Sequence, residues 1–418
     1  MDPIETTPKM ALAIQEIEHL VEELRAYHAM YSPLFPRREQ REAAHSYLPG
    51  VLASLPRQSI EPMVLAVDGA APKAVRAMQS FLSAGQWNEE RLLHQHGKEV
   101  DTALGAAEGV LMVEGSDFPQ PGSHSVGVQR QYCGALGQRA TCQAGVLVGD
   151  VSAQGDTVLD RRLYVPTEWL SDTAYAERRR QCGLPAEPTC KTKPALAQEM
   201  LAAVVKSQAV RWRWVVADEA FGGHPGFLEG VAGLGRWYFT EVPHTTRGWE
   251  ERPATHIPPW GGRGRRPQRE RLVEGAPEAR TVREMAGALP AEAWTRQTIK
   301  EGSQGPRVAD FAARRVLAVR DTLPGPAVWV GLRRHIETGE LQTYRCNAPV
   351  DTALAKLVQM SGMRWPIATC CEDSKQLLGM GDYAVRSWSG WHQQMTLVIL
   401  AHFFVVRMSL RLKKKPQQ

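Results

Sequence analysis

The sequence predicts an α/β protein that carries a helical N-terminal region and a mostly β insertion. Three observations predict this. Apolar residues recur at three- and four-residue steps through 1–105, short apolar runs alternate with helical stretches through 106–221, and the chain turns rich in Pro, Gly, Trp and Arg from 222 to 360. Compact apolar runs alternating with amphipathic stretches are the pattern of a sheet flanked by helices.

Leu12, Ile17, Leu20, Val21, Leu24 and Tyr27 line one face of a helix within 11–31, and 75–82, 89–96 and 99–104 continue in that style. Val110–Val113 is the first strand, followed by Ser125–Val128, Gln143–Val148 and Thr157–Val165. Ala195–Lys206 reads as a helix and Trp212–Ala217 as a second compact apolar strand. Within 222–360 the extended pieces are Trp237–Val242, Val316–Val319, Ala327–Leu332 and Leu341–Ala348. Residues 361–418 return to helix and end in a basic tail, Lys413–Lys415. The longest apolar run, Met395–Val406, is interrupted by His402 and is shorter than the ~18 residues of a membrane span, so no membrane association is expected.

The 418 residues hold 50 Lys/Arg and 45 Asp/Glu, a net charge of +5. Residues 1–105 contribute 10 basic and 14 acidic groups, net −4, which leaves +9 on the remainder. A positive body points to a polyanionic partner. Seven cysteines without a CxxC pair, and an N-terminus without a basic-then-apolar signal segment, give the expectation of a cytoplasmic protein with reduced thiols.

Two segments share one design: Val110–Val113 runs into Glu114, and Trp214–Ala217 runs into Asp218. Carboxylates at the ends of adjacent buried strands gather oxygen ligands suited to hard divalent cations, magnesium above all. Two such ions ~3.5–4 Å apart clamp both oxygens of a phosphodiester displacement. The same residues also read as ordinary strand-end acids. Other chemistries lack their motifs. Asp218–Phe221 has no GxxxxGK[ST] loop upstream, Gly230–Gly235 precedes a strand instead of following one, and HExxH, paired Cys/His spacing and GxSxG are absent.

Across 245–320 there are 15 Lys/Arg against 9 Asp/Glu. Arg263, Arg265 and Arg266 lie in the run Gly261–Arg266, with Arg269 and Arg271 after it and Trp249 and Trp260 before it. Arginines beside aromatic faces fit phosphate contact and base stacking. A solvated basic loop has the same composition.

Several stretches together resemble bacterial insertion-sequence transposases of the DDE superfamily, cut-and-paste enzymes with a ribonuclease-H-like core. Tyr27-His28 and Leu34–Arg41 resemble the family's helical N-terminal region. Gly115–Pro119 and His124–Gly134 resemble its first catalytic strand and hairpin, and Trp214–Phe221 the second. Arg364–Ile367 through Lys375, with Val385–Trp388 beyond, resembles the helix that bears the third acid. The resemblance implies a ribonuclease-H-like mixed sheet with flanking helices and a β insertion between the second and third acids. It further implies three carboxylates holding two magnesium ions, and double-stranded DNA with terminal inverted repeats, bound by a homodimer. The expected division is a helical region at 1–105, the first part of the core at 106–221, the insertion at 222–360 and the C-terminal helical part at 361–418.

Carried over residue by residue, the family's first Asp falls on Glu114, ahead of Gly115-Ser116, and its second on Asp218. Its helical signature of Tyr, Arg, Glu and Lys reads here as Ser361, Arg364, Ala368 and Lys375. The glutamate is thus an alanine, and the first aspartate a glutamate whose extra methylene moves the carboxylate by about an ångström, enough to cost ~10²-fold in rate. Glu114 and Asp218 are the expected metal ligands. Asp117, three residues past Glu114, and Glu372, one helical turn past Ala368, are the candidate substitutes for a missing acid. Arg263, Arg265, Arg266, Arg364 and Lys375 are the expected DNA contacts, with a salt bridge as the alternative role of the last two. The expectation is a DNA transposase acting by metal-dependent phosphodiester hydrolysis and strand transfer. Its alternative is a non-catalytic DNA-binding protein derived from one.

Overall fold

A computed structural model describes residues 14–414 except 54, 70–71, 121, 186–189, 303–304 and 364. The chain divides into two compact units, residues 1–96 with 374–418 and residues 97–373.

The N-terminal helices are α1 (Ile14–Tyr31), α2 (Arg38–Leu52), α3 (Ile60–Asp68), α4 (Pro72–Ser83) and α5 (Glu89–Leu104). The two helical stretches expected at 89–96 and 99–104 are one helix, because Gly97 packs its bare backbone against Ala209 and Val210 instead of breaking the turn. In the smaller unit Phe35, Phe81 and Trp87 pack ring against ring at 5.4–5.8 Å.

The larger unit is built on strands β1 (Val110–Pro119), β2 (Gln129–Cys133), β3 (Gln138–Val151) and β4 (Asp156–Tyr164). Helices α6 (Thr167–Ser171), α7 (Ala176–Gln181) and α8 (Lys193–Ser207) lead to β5 (Trp214–Ala217). Two short helices, α9 (Glu219–Gly222) and α10 (Pro225–Gly233), precede β6 (Trp237–Glu241). Strands run in the order β4-β3-β1-β5-β6: β3 is antiparallel to both β4 and β1, and β1, β5 and β6 are parallel. This is a ribonuclease-H-like sheet. The parallel trio is buried on both faces, which is why Val110–Val113 and Trp214–Ala217 are unbroken apolar runs.

Two sequence expectations shift. Ser125–Val128 is a turn closed by the Val128 N–H on the Ser125 carbonyl, with Gly127 at φ +70°, and the strand begins at Gln129. Trp237–Glu241, grouped with the insertion by composition, is the outer strand of the parallel trio.

Beyond β6 come β7 (Arg247–Trp249), β8 (Thr255–His256), β9 (Arg271–Leu272) and β10 (Arg280–Thr281), then helix α11 (Val282–Gly287). The long strands β11 (Thr295–Gly302), β12 (Gly305–Arg320), β13 (Leu323–His335) and β14 (Leu341–Cys346) follow. Strand β14 pairs antiparallel with β6, so this β-rich stretch continues the core sheet through β13 and β12 to β7 and β10. Val282, Met285 and Ala286 of α11 close a small apolar core on Val316, Val328, Val330 and Leu332.

Helices α12 (Leu354–Gly362), α13 (Trp365–Leu377) and α14 (Trp388–Lys414) complete the chain. The apolar run in α14 is flanked by further helical residues, and Trp388–Leu412 is long and apolar enough to cross a membrane. Its most apolar window is 61% buried inside the protein. Tyr27 donates to the Leu400 carbonyl at 2.8 Å, and the Trp391 indole, fully buried, donates to Tyr383. The helix is therefore a core element of the smaller unit. His402 is buried in it, and desolvation pushes its pKa down to about 4.

Candidate active site

Register decides the site. Strands β1 and β5 pair in parallel from Val110↔Trp214 to Val113↔Ala217, and the next residue on each is Glu114 and Asp218. Neighbouring strands lie ~4.8 Å apart, so the two carboxylates stand side by side where the β1–β5 ladder ends, although β1 itself runs past the expected Val113 to Pro119. Glu114 is half-buried.

Asp218 is oriented by its own turn. It is the N-cap of α9, and its Oδ1 accepts the Ala220 N–H at 3.0 Å. The turn lies tight against β6 at Gly222, where a Cβ would overlap the Glu241 carbonyl oxygen and crowd Thr240. Glycine at 222 thus lets Asp218 sit level with the strand ends.

Asp117 is not brought to this pair. Strand residues alternate faces, and a spacing of three puts Asp117 on the face of β1 opposite Glu114. There its Oδ2 accepts the Gly134 N–H at 2.6 Å and its Oδ1 lies 3.8 Å from the Lys193 ammonium, so it fastens the β2 hairpin and the start of α8.

Sequence reading missed Arg161. Glu114 pairs with Leu147, and Leu147 pairs with Arg161, so Arg161 shares a face and a cross-strand row with Glu114. Its side chain is only 2% exposed. Asp160 Oδ1 accepts the Arg161 N–H at 2.7 Å and Arg162 Nη1 at 2.7 Å, with Arg161 Nη1 at 3.4 Å. One carboxylate is thus shared between two neighbouring guanidinium groups of β4. The available signal was a charged triplet, Asp160-Arg161-Arg162, inside an otherwise apolar strand.

The third position is different in kind. Ala368 falls in the first turn of α13, and Glu372 is exposed one turn further on. The helix is held to the sheet by Cys370, whose buried sulfur is hydrogen-bonded by the backbone of Val158 on β4 and whose pKa burial raises well above the usual thiol value. Arg364 lies outside the described residues. Lys375, half-buried in the last turn of α13, belongs to the other compact unit. Arg263, Arg265 and Arg266 are exposed on the loop of the separate two-stranded β8–β9 ribbon.

Among the described residues no group of three or more His, Cys, Asp or Glu is placed to hold a metal ion. The donors present are two hard carboxylates. Two are enough for one magnesium-type ion that keeps several waters. They do not fit the expected pair of ions, because alanine at 368 offers no ligand.

A ribonuclease-H-like sheet that brings Glu114 and Asp218 together where the β1–β5 ladder ends has the architecture of a DDE-type core. The chain belongs to the DDE superfamily endonucleases, whose family model matches residues 30–306. It is a transposase-like nuclease. Members of the superfamily typically use divalent metals, and membership points to DNA as the substrate. No curated protein matches the sequence. The matched span contains Glu114 and Asp218 and ends before Ala368 and Glu372.

Proposed function

We propose that the protein is the transposase of an insertion sequence, acting in the cytoplasm on double-stranded DNA with terminal inverted repeats, as a homodimer and with attenuated cleavage. The parallel register that sets Glu114 beside Asp218 carries this reading. In it these two residues hold one divalent ion, magnesium by preference. Once bound, the ion supplies a water of lowered pKa and charge stabilisation at the scissile phosphate. Asp218, fixed by its cap, sets the position of the site, Glu114 completes it, and Arg161 lies in the same cross-strand row as Glu114. Glu372 serves as the substitute third acid. Arg263, Arg265, Arg266, Arg364 and Lys375 contact phosphate. Residues 222–360, apart from the core strand β6, act as an inserted DNA-binding region between the second and third acid positions, flanked by the helical region 1–105 and the C-terminal part 361–418.

A second reading, a DNA-binding protein that no longer cuts, is favoured by one observation: the third acid position is Ala368. Restoring the acids separates the two readings. Glu114→Asp with Ala368→Glu is expected to raise magnesium-dependent nicking of end-sequence DNA, and Asp218→Asn in that background to abolish it. Cleavage by the unaltered protein in magnesium and not in EDTA supports the attenuated enzyme. Equal activity before and after restoration would show that the acids are misassigned.

A further inference from the structure

The β8–β9 ribbon has a build that phosphate contact alone does not require. Thr255–His256 pairs with Arg271–Leu272, and between them residues 257–270 form a loop exposed along almost its whole length. From 255 to 272 the chain holds five arginines and one glutamate, net +4 with histidine neutral. Its tip is closed internally. The Trp260 indole N–H donates to the Gly264 carbonyl at 3.1 Å, and the Arg266 guanidinium lies 5.2 Å from the centre of the Trp260 ring. Gly262 and Gly264 sit at φ +82° and +77°, and a Cβ at 261, 262 or 264 would meet nothing within 4 Å. Arg263 and Arg265 therefore flank a strip of backbone that is bare of side chains and open to solvent.

We propose that this tip enters the minor groove of A·T-rich duplex DNA, with Arg263 and Arg265 in the groove on either side of Gly264. The proposal rests on the reading of DNA as the partner and adds the groove and the base preference. The minor groove is about 6 Å wide and suits a loop tip that carries few side chains, whereas helices and two-stranded ribbons fit the major groove. Narrow A·T tracts carry an enhanced negative potential that draws inserted arginines. Guanine places an amino group on the minor-groove floor and blocks close approach of the backbone. A major-groove reading is disfavoured because the ribbon has only two paired residues per strand and its tip is largely glycine, which has no side chain to read base edges. Trp260 and Arg266, stacked on each other, brace the tip from behind.

Inosine·cytosine DNA separates the grooves, since it keeps the major-groove face of G·C while lacking the minor-groove amino group. Binding of the full chain to A·T, G·C and I·C duplexes of equal length is measured by fluorescence anisotropy across a salt series. The expected result is that A·T and I·C bind alike and about tenfold tighter than G·C. Arg263→Gln with Arg265→Gln is expected to erase that preference and to lower the salt slope by about two ions. Three results would overturn the proposal while leaving DNA binding intact: I·C behaving like G·C, equal affinity for all three duplexes, or an unchanged salt slope in the double variant. Tighter binding to single-stranded RNA than to the A·T duplex would reassign the arm to RNA. Failure of the unaltered protein to bind any duplex would overturn both the proposal and the DNA reading beneath it.

Discussion

The first two acid positions and the third are held in place by different means. Glu114 and Asp218 immediately follow a parallel ladder that fixes them relative to each other residue by residue, and Asp218 is further tied down by its own cap. Ala368 sits on a helix held to the sheet through its buried Cys370, which meets the backbone of Val158 on β4, two strands away from β1. A carboxylate at 114 or 218 is therefore placed by backbone pairing, whereas one at 368 would be placed by the seating of a helix.

The sharpest way to break the comparison is to restore the helix position. With Ala368→Glu and Glu114→Asp together, nicking in magnesium is expected to rise by about 10²-fold or more, the cost of misplacing a reacting group by about an ångström. Gel assays on end-sequence DNA check it. If Ala368→Glu alone changes nothing while Glu114→Asp alone gives the full gain, the helix is not the third arm of the site.

Much of this contrast was legible in the sequence, and its limits have physical causes. Val110–Val113 and Trp214–Ala217 announce buried parallel strands because neither face meets water, and their following acids could be named at once. Arg161 could not be connected to Glu114, since their relation runs through Leu147 and depends on sheet order, a long-range property. Composition assigned Trp237–Glu241 to the insertion because an apolar pentapeptide does not declare its partner strand. Asp117 is a different case: strand alternation alone puts it on the wrong face for Glu114.

The strand-end side of the comparison is sharpened by Arg161→Met. It removes a buried guanidinium but leaves Asp160 paired with Arg162, so the cost falls at or below the low end of the usual range for breaking a buried pair, about 3 kcal/mol. Thermal unfolding measures it, and divalent-ion affinity is expected to rise modestly, because losing a cation from the row of Glu114 relieves its repulsion of the bound ion. A loss of stability without a change in ion affinity would confine Arg161 to a packing role. At Gly222, replacement by Ala forces β6 and the Asp218 turn apart, at an expected cost of about 1–3 kcal/mol. The same substitution at the solvent-facing Gly226 is expected to cost nothing measurable by the same assay.

Two buried titratable groups add a pH slope to the stability. Asp150, buried in β3 with an unpartnered Oδ2, has its pKa raised to about 7, first by desolvation and then by Asp101 and Asp156. The folded state therefore holds a proton that the unfolded chain releases near pH 4, and this group's contribution to stability declines as pH rises from about 4 to about 7. Asp150→Asn removes that decline. His402 acts in the opposite sense: folding holds it neutral down to about pH 4 while the unfolded chain protonates near 6.5, so its contribution is lost as pH falls between those values. Denaturant titrations at fixed pH steps resolve the two.

The central claim is that Glu114 and Asp218 converge on one divalent ion, and manganese titration followed by electron paramagnetic resonance tests it most directly. One ion per chain is expected, lost in both Glu114→Gln and Asp218→Asn and unaffected by Asp117→Asn. An ion that survives both substitutions, or one that disappears only with Asp117→Asn, would contradict the account.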